Sequence, residues 1–419
     1  MSLRRACSLV AITLFAVAAV SAQNTALTGY NNPGRFVDEV FYLDMNNNVQ
    51  EIIDRGSGLG DGGPILLSPS PTQESGAIPD AGGSAVTGLV DSFGTAHVFY
   101  VDQTLNVHEL YNPSSAEVDQ WFHNQLTQGA TGAPSVQDVE GQLSSCFDSY
   151  NIEHVFYIAE NNHVEELYFY NGRWWNNDLS AKTGTPGAIL PSGTGALHDD
   201  YGSGLTSFCD NSGNANVFYT AYFEGSDALH INLLQFNGSK WSNTDVTAAG
   251  GGPPAAAANA LTSFQDSFGI RHVFYFAFDN NVQELYEVNT NGPWSSNDLT
   301  LRTNTPGAYF LSGITSFFDS SYIEHVFFID ANNHVRELYN NGQWQTNDLS
   351  ALTASPITAR GGSLTSFFDS LGEHVYYVGY SDTNYGDMVE LFYSGGTWKS
   401  LDMTSYIEST GVVPPTAIP

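Results

Sequence analysis

The stretch ITSFFDSSYIEHVFFIDANNHVRELYNNGQWQTNDL, from Ile314 to Leu349, decides the fold. It holds four short runs rich in apolar and β-branched residues: ITSFF, EHVFFI, HVRELY and WQTNDL. Asp-Ser, Asp/Asn-rich and Asn-Gly segments separate the runs. Such residues form tight turns, through Asx hydrogen bonds and tolerance of positive φ. Short strands joined this way make one antiparallel sheet.

Variants of the unit recur along the whole chain. The V-[FY]-[FY] core of its second run stands at Val40, Val98, Val155, Val217, Val273, Val326 and Val375, at spacings of 58, 57, 62, 56, 53 and 49 residues. Seven four-stranded units of this length predict an all-β, seven-bladed β-propeller with four antiparallel strands per blade. Six blades is the alternative, should the end copies merge. Helical repeats would need a 3.6-residue period, which is absent. The propeller is expected over residues 23–403, with blades at about 27–85, 86–142, 143–204, 205–260, 261–313, 314–363 and 364–403. Residues 404–419 form a tail expected to cross the ring closure.

The first strand of each unit reads LTGY at Leu27, LSSCF at Leu143, LTSFC at Leu205 and LTSFF at Leu364. Small residues beside apolar ones suit a strand crowded near a ring axis. Copies one and four are degenerate, and copy one has only GPILLS at Gly63 where its fourth strand belongs. Cys146 and Cys209 fall one step apart in the first strands of neighbouring units. Packed sheets lie about 10 Å apart, beyond usual disulfide reach, so two free buried thiols are expected.

Residues 1–22 read as a secretory signal: Arg4 and Arg5, an apolar run from Leu9 to Val20, and a small-residue cleavage site ending at Ala22. No later run is long enough to span a bilayer, so a secreted protein, extracellular or periplasmic, without membrane insertion is expected. Loss of Arg4 and Arg5 leaves ten basic against 44 acidic side chains, a net charge of −34. Such a surface repels phosphate backbones, which argues against nucleic acid as a partner and suits neutral ligands.

One constellation repeats with the blades. His325 and Glu337 are 12 residues apart, centred on the predicted turn at Ala331, so they are expected directly opposite each other on one sheet face. The spacing returns at His97/Glu109, His154/Glu166 and His272/Glu284, and lengthens by four residues at His374/Glu390. Asn216/Asn232 and Glu39/Glu51 take the same places in copies four and one. Two readings compete. A cross-strand polar pair pins register and contributes about 0.2–1 kcal/mol; alternatively, a ligand site repeats around the ring. Copies one and four keep the blade pattern without the pair, which favours the ligand. A sugar site needs this chemistry, since carboxylates accept from paired hydroxyls, imidazole donates to a hydroxyl or ring oxygen, and an aromatic face covers the C–H patch. Trp121, Trp174, Trp294, Trp344 and Trp398 supply about one indole per blade, against an ordinary packing role.

A strand with a basic residue before V-[FY]-[FY], an Asn-rich turn, a strand ending in Glu, an Asn-Gly turn and a Trp together resemble the repeat of fungal fucose-specific lectins and their bacterial relatives. The resemblance implies a propeller that binds glycans between adjacent blades, with a fucose-like sugar as the candidate. In that family an Arg and a Glu of one blade grip the sugar, and aromatics of neighbouring strands stack on it. The Arg position corresponds to His97, His154, His272, His325 and His374, and the Glu position to Glu109, Glu166, Glu284, Glu337 and Glu390.

A glycoside hydrolase or lyase with one asymmetric site is the alternative, and a protein-binding scaffold the third reading. Enzymatic propellers break symmetry to build one pocket, whereas here the polar pair repeats, so no catalytic residue is assigned. Glu39 facing Glu51 is the one carboxylate pair noted. No cofactor and no metal ligand is expected: the Asp-led turns at Asp44, Asp279 and Asp330 lack the Gly and bidentate Glu of a calcium loop and read as Asx turns. His123, His198 and His230 are expected to be isolated.

Overall fold

The computed structural model describes residues 27–32, 37–43, 49–54, 86–115, 120–137, 142–188, 204–210, 212–222, 228–256, 261–289, 291–309, 312–358, 362–380 and 385–403. The signal segment, GPILLS, the Asp44 turn, His198 and the tail lie outside the described residues.

Seven antiparallel sheets follow one another along the chain, which makes seven blades rather than six. Blade 1 shows three strands, Leu27–Asn32, Val37–Leu43 and Val49–Asp54. Blades 2 to 6 each show four, in simple up-and-down order. Blade 7 adds a two-residue strand, Ile357–Thr358, on its second strand. The ring closes where Leu27, Val40, Tyr42 and Ile52 of blade 1 share a core with Phe367, Tyr376, Val378 and Met388 of blade 7.

The hydrophobic core lies between blades, not within them. In blade 3, Val155 and Tyr157 pack on Phe99 and Val101 of blade 2. Their neighbours Phe156 and Ile158 point the other way, onto Val217 and Tyr219 of blade 4. A strand covered on both faces has no polar side to show, so the second strand reads as a continuous apolar run.

The small residues of the first strands have a specific use. Hydroxyls meet from blade to blade around the axis: Thr87 with Ser145 at 3.1 Å, Ser144 with Ser207 at 2.7 Å, Thr206 with Ser263 at 3.2 Å, Thr262 with Ser316 at 2.8 Å and Thr315 with Ser366 at 2.9 Å. Gly88 replaces the serine where blade 2 meets blade 1, because a Cβ there would fall 2.8 Å from the Tyr30 ring.

One expectation fails here. Cys146 and Cys209 are joined as a disulfide, with Cα atoms 5.5 Å apart. The usual face-to-face spacing of sheets does not hold near the axis, where the first strands converge. The fourth strand of blades 3 to 6 runs straight into a helical turn. Asp178, Asp245, Asp298 and Asp348 each accept a backbone N–H three residues on and cap short helices, Leu179–Thr183, Val246–Gly250, Leu299–Thr303 and Leu349–Thr353. Five residues are too few to display helical periodicity. Among the described residues no helix is long and apolar enough to cross a membrane.

Candidate functional site

The five His–Glu pairs form. Nδ1 of His97, His154, His272, His325 and His374 donates to Oε1 of Glu109, Glu166, Glu284, Glu337 and Glu390 at 2.7, 2.7, 2.8, 2.8 and 2.8 Å. They are not directly opposite, as the spacing implied. His97 registers with Tyr111, and Glu109 with Phe99. The partners are diagonal neighbours on one face, two positions out of register, within reach of long side chains. The longer hairpin of blade 7 keeps this relation, with His374 opposite Phe392 and Tyr376 opposite Glu390. Blade 4 does not: Asn216 registers with Gln235 and Asn232 with Tyr219, so the two asparagines lie on opposite faces.

Each pair is buried; His97 is 7% and Glu109 3% exposed. The second carboxylate oxygen accepts from an outer-strand amide, at 2.8 Å for Asn124 on Glu109, 2.6 Å for Asn177 on Glu166, and 2.7 Å for both Asn297 on Glu284 and Asn347 on Glu337. In blade 7 Leu401 takes the asparagine's place, and the Tyr376 hydroxyl donates to Oε1 of Glu390, the oxygen that His374 also holds.

The far nitrogen of each imidazole faces the Asp that ends the first strand. Nε2 of His154 lies 3.6 Å from Asp148, and that of His374 lies 3.1 Å from Asp369. These aspartates cap their own turns as expected; Asp148 accepts from Tyr150 N and Ile152 N. A further carboxylate reaches in from the next blade: Glu153 to His97 at 3.1 Å, Glu373 to His325 at 3.4 Å and Glu324 to His272 at 3.8 Å. Each of these three glutamates immediately precedes the pair histidine of its own blade. Successive residues point to opposite faces, so EH in one strand serves two interfaces.

The electrostatics follow. Burial works against a charged imidazole, but hydrogen bonds to the flanking Asp and Glu outweigh it, lifting His154 to about 9 and both His272 and His374 to about 10. Burial and the neighbouring pair glutamate push Glu153 up to about 7. Burial also raises Glu324 and Glu373. Each complete interface is an imidazolium held among acids, one of which tends to keep its proton.

Between blades 4 and 5 the polarity is reversed. Asn216 occupies the histidine's place, and Arg271 of blade 5 takes the incoming glutamate's, donating from Nη1 to Asn216 at 3.1 Å and from Nε to Glu287 at 2.9 Å.

The indoles come from the next blade. Trp121 Nε1 donates across the first interface to Glu51 at 3.2 Å and sits edge-on to Phe41, the register partner of Glu51. The edge-on ring contact, without that hydrogen bond, returns where Trp241 meets Phe156, the register partner of Glu166, Trp344 meets Phe274, that of Glu284, and Trp398 meets Phe327, that of Glu337. Trp174 shares a core with Phe99, which is opposite Glu109. Trp294 meets Phe218, beside which Leu233 replaces the glutamate. Five described interfaces between blades therefore combine a buried carboxylate with an indole from the following blade. Trp174 is buried, whereas Trp121, Trp241, Trp294, Trp344 and Trp398 are partly exposed.

Sequence reasoning missed the asparagines, the turn aspartates and the incoming glutamates. The signal was present as the recurring N-D before the last strand ends and the E before H-V-F. His123 and His230 are not isolated: His123 shares a 2.7 Å hydrogen bond with His108, and His230 one of 2.7 Å with Asp245. The Asp279 and Asp330 turns are Asx turns, each capping the backbone N–H two residues on.

No protein-family model matches the chain, and no curated protein matches it. Solved structures do. The fold is similar to that of the BP39L lectin from Burkholderia pseudomallei, with a TM-score of 0.63 at 14% identity over 95% of this chain and 99% of that one. It is also similar to an arginine-to-alanine triple variant of AofleA from Arthrobotrys oligospora, with a TM-score of 0.50 at 14% identity over 77% of this chain and 86% of that one. The six-bladed lectin of Aleuria aurantia, described with a fucose recognition mode, aligns at a TM-score of 0.49 and 13% identity over 76% of this chain and 93% of that one. At such identities the likeness establishes the β-propeller fold.

Proposed function

We propose that the chain is an exported, non-catalytic lectin that binds neutral sugars in the clefts between blades, with a fucose-like monosaccharide as the candidate ligand. One observation carries this reading: an indole from one blade packs on the phenylalanine paired with a glutamate of the preceding blade, reaching the carboxylate itself in Trp121–Glu51, and the combination repeats around the ring. A partly exposed indole offers an apolar face to a pyranose. The outer-strand asparagine lies on the carboxylate oxygen that sugar hydroxyls would take, so the sugar exchanges an amide donor for its own O–H. The buried histidine orients the carboxylate from behind rather than touching the sugar. It thereby does part of the work that arginine does in the fucose-specific lectins which the repeat resembles. The fold shared with the BP39L lectin over nearly its whole length supports the same class.

A glycan array with the purified protein tests this directly. Binding to neutral sugars, reduced in Glu337→Gln and Glu284→Gln while circular dichroism is unchanged, is the expected result. Silence across neutral sugars would favour the scaffold. Turnover of a chromogenic glycoside, abolished by changing Glu39 or Glu51, would favour the enzyme.

A further inference from the structure

We propose that His163, Glu165 and Asp178, where the fourth strand of blade 3 turns into its short helix, bind a divalent transition-metal ion, with zinc the best match to the donors. One ligand atom from each lies within 4.8 Å of the other two. Glu165 and Asp178 are direct register partners, and His163 Nδ1 is 2.7 Å from Asp178 Oδ2. The other oxygen of Asp178 caps the helix through Ala181 N, which fixes the direction of the carboxylate.

The independent sign of a missing ligand is Glu165. It is 1% exposed, and its Oε2 has no hydrogen-bond partner. A buried carboxylate oxygen left unpaired is costly, and Glu165 shares its corner with a second carboxylate, that of Asp178.

The other blades serve as internal controls. In blade 6 the equivalent places hold His334, Arg336 and Asp348, and Arg336 pairs with Asp348 at 2.9 Å and with Asp330 at 2.8 Å. There the chain supplies its own cation. Blade 3 has Glu165 where blade 6 has Arg336, and Ala159 where it has Asp330. In blade 5, Asn281 bonds Asp298 at 2.9 Å, so the link to the capping aspartate needs no imidazole. Only in blade 3, among the described blades, do an imidazole and two carboxylates meet at this corner without an arginine between them. One imidazole with two carboxylates is a borderline donor set that suits zinc. The side chains of His163 and Asp178 are 34% and 32% exposed, which leaves an approach from solvent, a place for water as fourth ligand, and freedom for their contact to widen around an ion.

The test uses the whole chain stripped with a chelator and titrated with zinc by calorimetry, followed by thermal melts. One strong equivalent is expected, with a rise in melting temperature. Glu165→Gln and His163→Ala should weaken zinc binding at least about tenfold and abolish the rise. Glu165→Gln should also melt like the metal-free parent, which separates ligand loss from misfolding. His334→Ala, on blade 6, should bind zinc like the parent. Absence of a strong equivalent, or uptake unchanged in both blade 3 variants, overturns the assignment. Sugar binding is read separately and decides nothing here.

Discussion

Glu337 and Trp398 come from different blades yet line one proposed sugar site, so removing either should weaken that same site, and removing both should cost no second site. Glu337 lines the cleft between blades 6 and 7, whereas Trp344 of its own blade lines the cleft between blades 5 and 6. Glu337→Gln removes a charged hydrogen-bond acceptor, about 1.5–3 kcal/mol. Trp398→Ala removes the stacking face, about 0.5–1.5 kcal/mol beyond burial. At about 1.4 kcal/mol per tenfold, loss of the carboxylate weakens one cleft roughly 10- to 100-fold and takes it out of a calorimetric titration. From the four proposed sites with a partly exposed indole, at Trp121, Trp241, Trp344 and Trp398, the apparent stoichiometry should fall to three in Glu337→Gln, and stay at three in Glu337→Gln/Trp398→Ala. It should fall to two in Glu337→Gln/Trp344→Ala. The fold should survive the Gln substitution, because His325 keeps Asp319 at 3.8 Å, and loss of the Glu337 charge favours ionisation of Glu373 at 3.4 Å. Melting curves on each variant check this. The opposite pattern, two sites lost across blades and one within a blade, would refute the assembly of the site.

Three further outcomes follow from the same network. His154 has a folded value of about 9 against an ordinary 6.5, so its stabilisation is complete below pH 6.5 and is lost as pH rises through 9, about 3 kcal/mol as an upper figure. The raised Glu153 acts in the same direction, losing its proton near pH 7, so the melting temperature should decline from pH 6 to pH 10; a flat profile would count against protonated belts. Bridging residues 63 apart, the Cys146–Cys209 disulfide should contribute about 4 kcal/mol, read as the denaturation midpoint lost in the double alanine variant, and the unreduced protein lacking residues 1–22, which hold Cys7, should take up no thiol label. Arg271→Met strands the buried Glu287 and should cost about 3–5 kcal/mol in chemical denaturation, most of it recovered in Arg271→Met/Glu287→Leu.

Much of this protein is readable from strand periodicity. Turn residues bracket every strand, and in Asn171-Gly172 both residues take the positive φ that such a hairpin turn requires. The two-residue period shows that His325 and Glu337 share a face, because a shift of two leaves the face unchanged. It does not separate a direct partner from a diagonal one, which is why the predicted opposition failed. In blade 4 the inference failed outright, since an odd offset in a longer hairpin turns Asn232 to the other side of the sheet.

The amino-acid sequence alone determined the repeat, the strands within its clear copies and, in five blades, that the histidine and glutamate share a sheet face, because these depend on spacings of a few residues. The tertiary structure decided which neighbour each face meets. Trp398 belongs with Glu337 rather than with its own blade, Glu153 serves the histidine of the preceding blade, and Cys146 reaches Cys209. These pairings depend on how the ring closes and how tightly its first strands converge at the axis, and a local period carries no information about either.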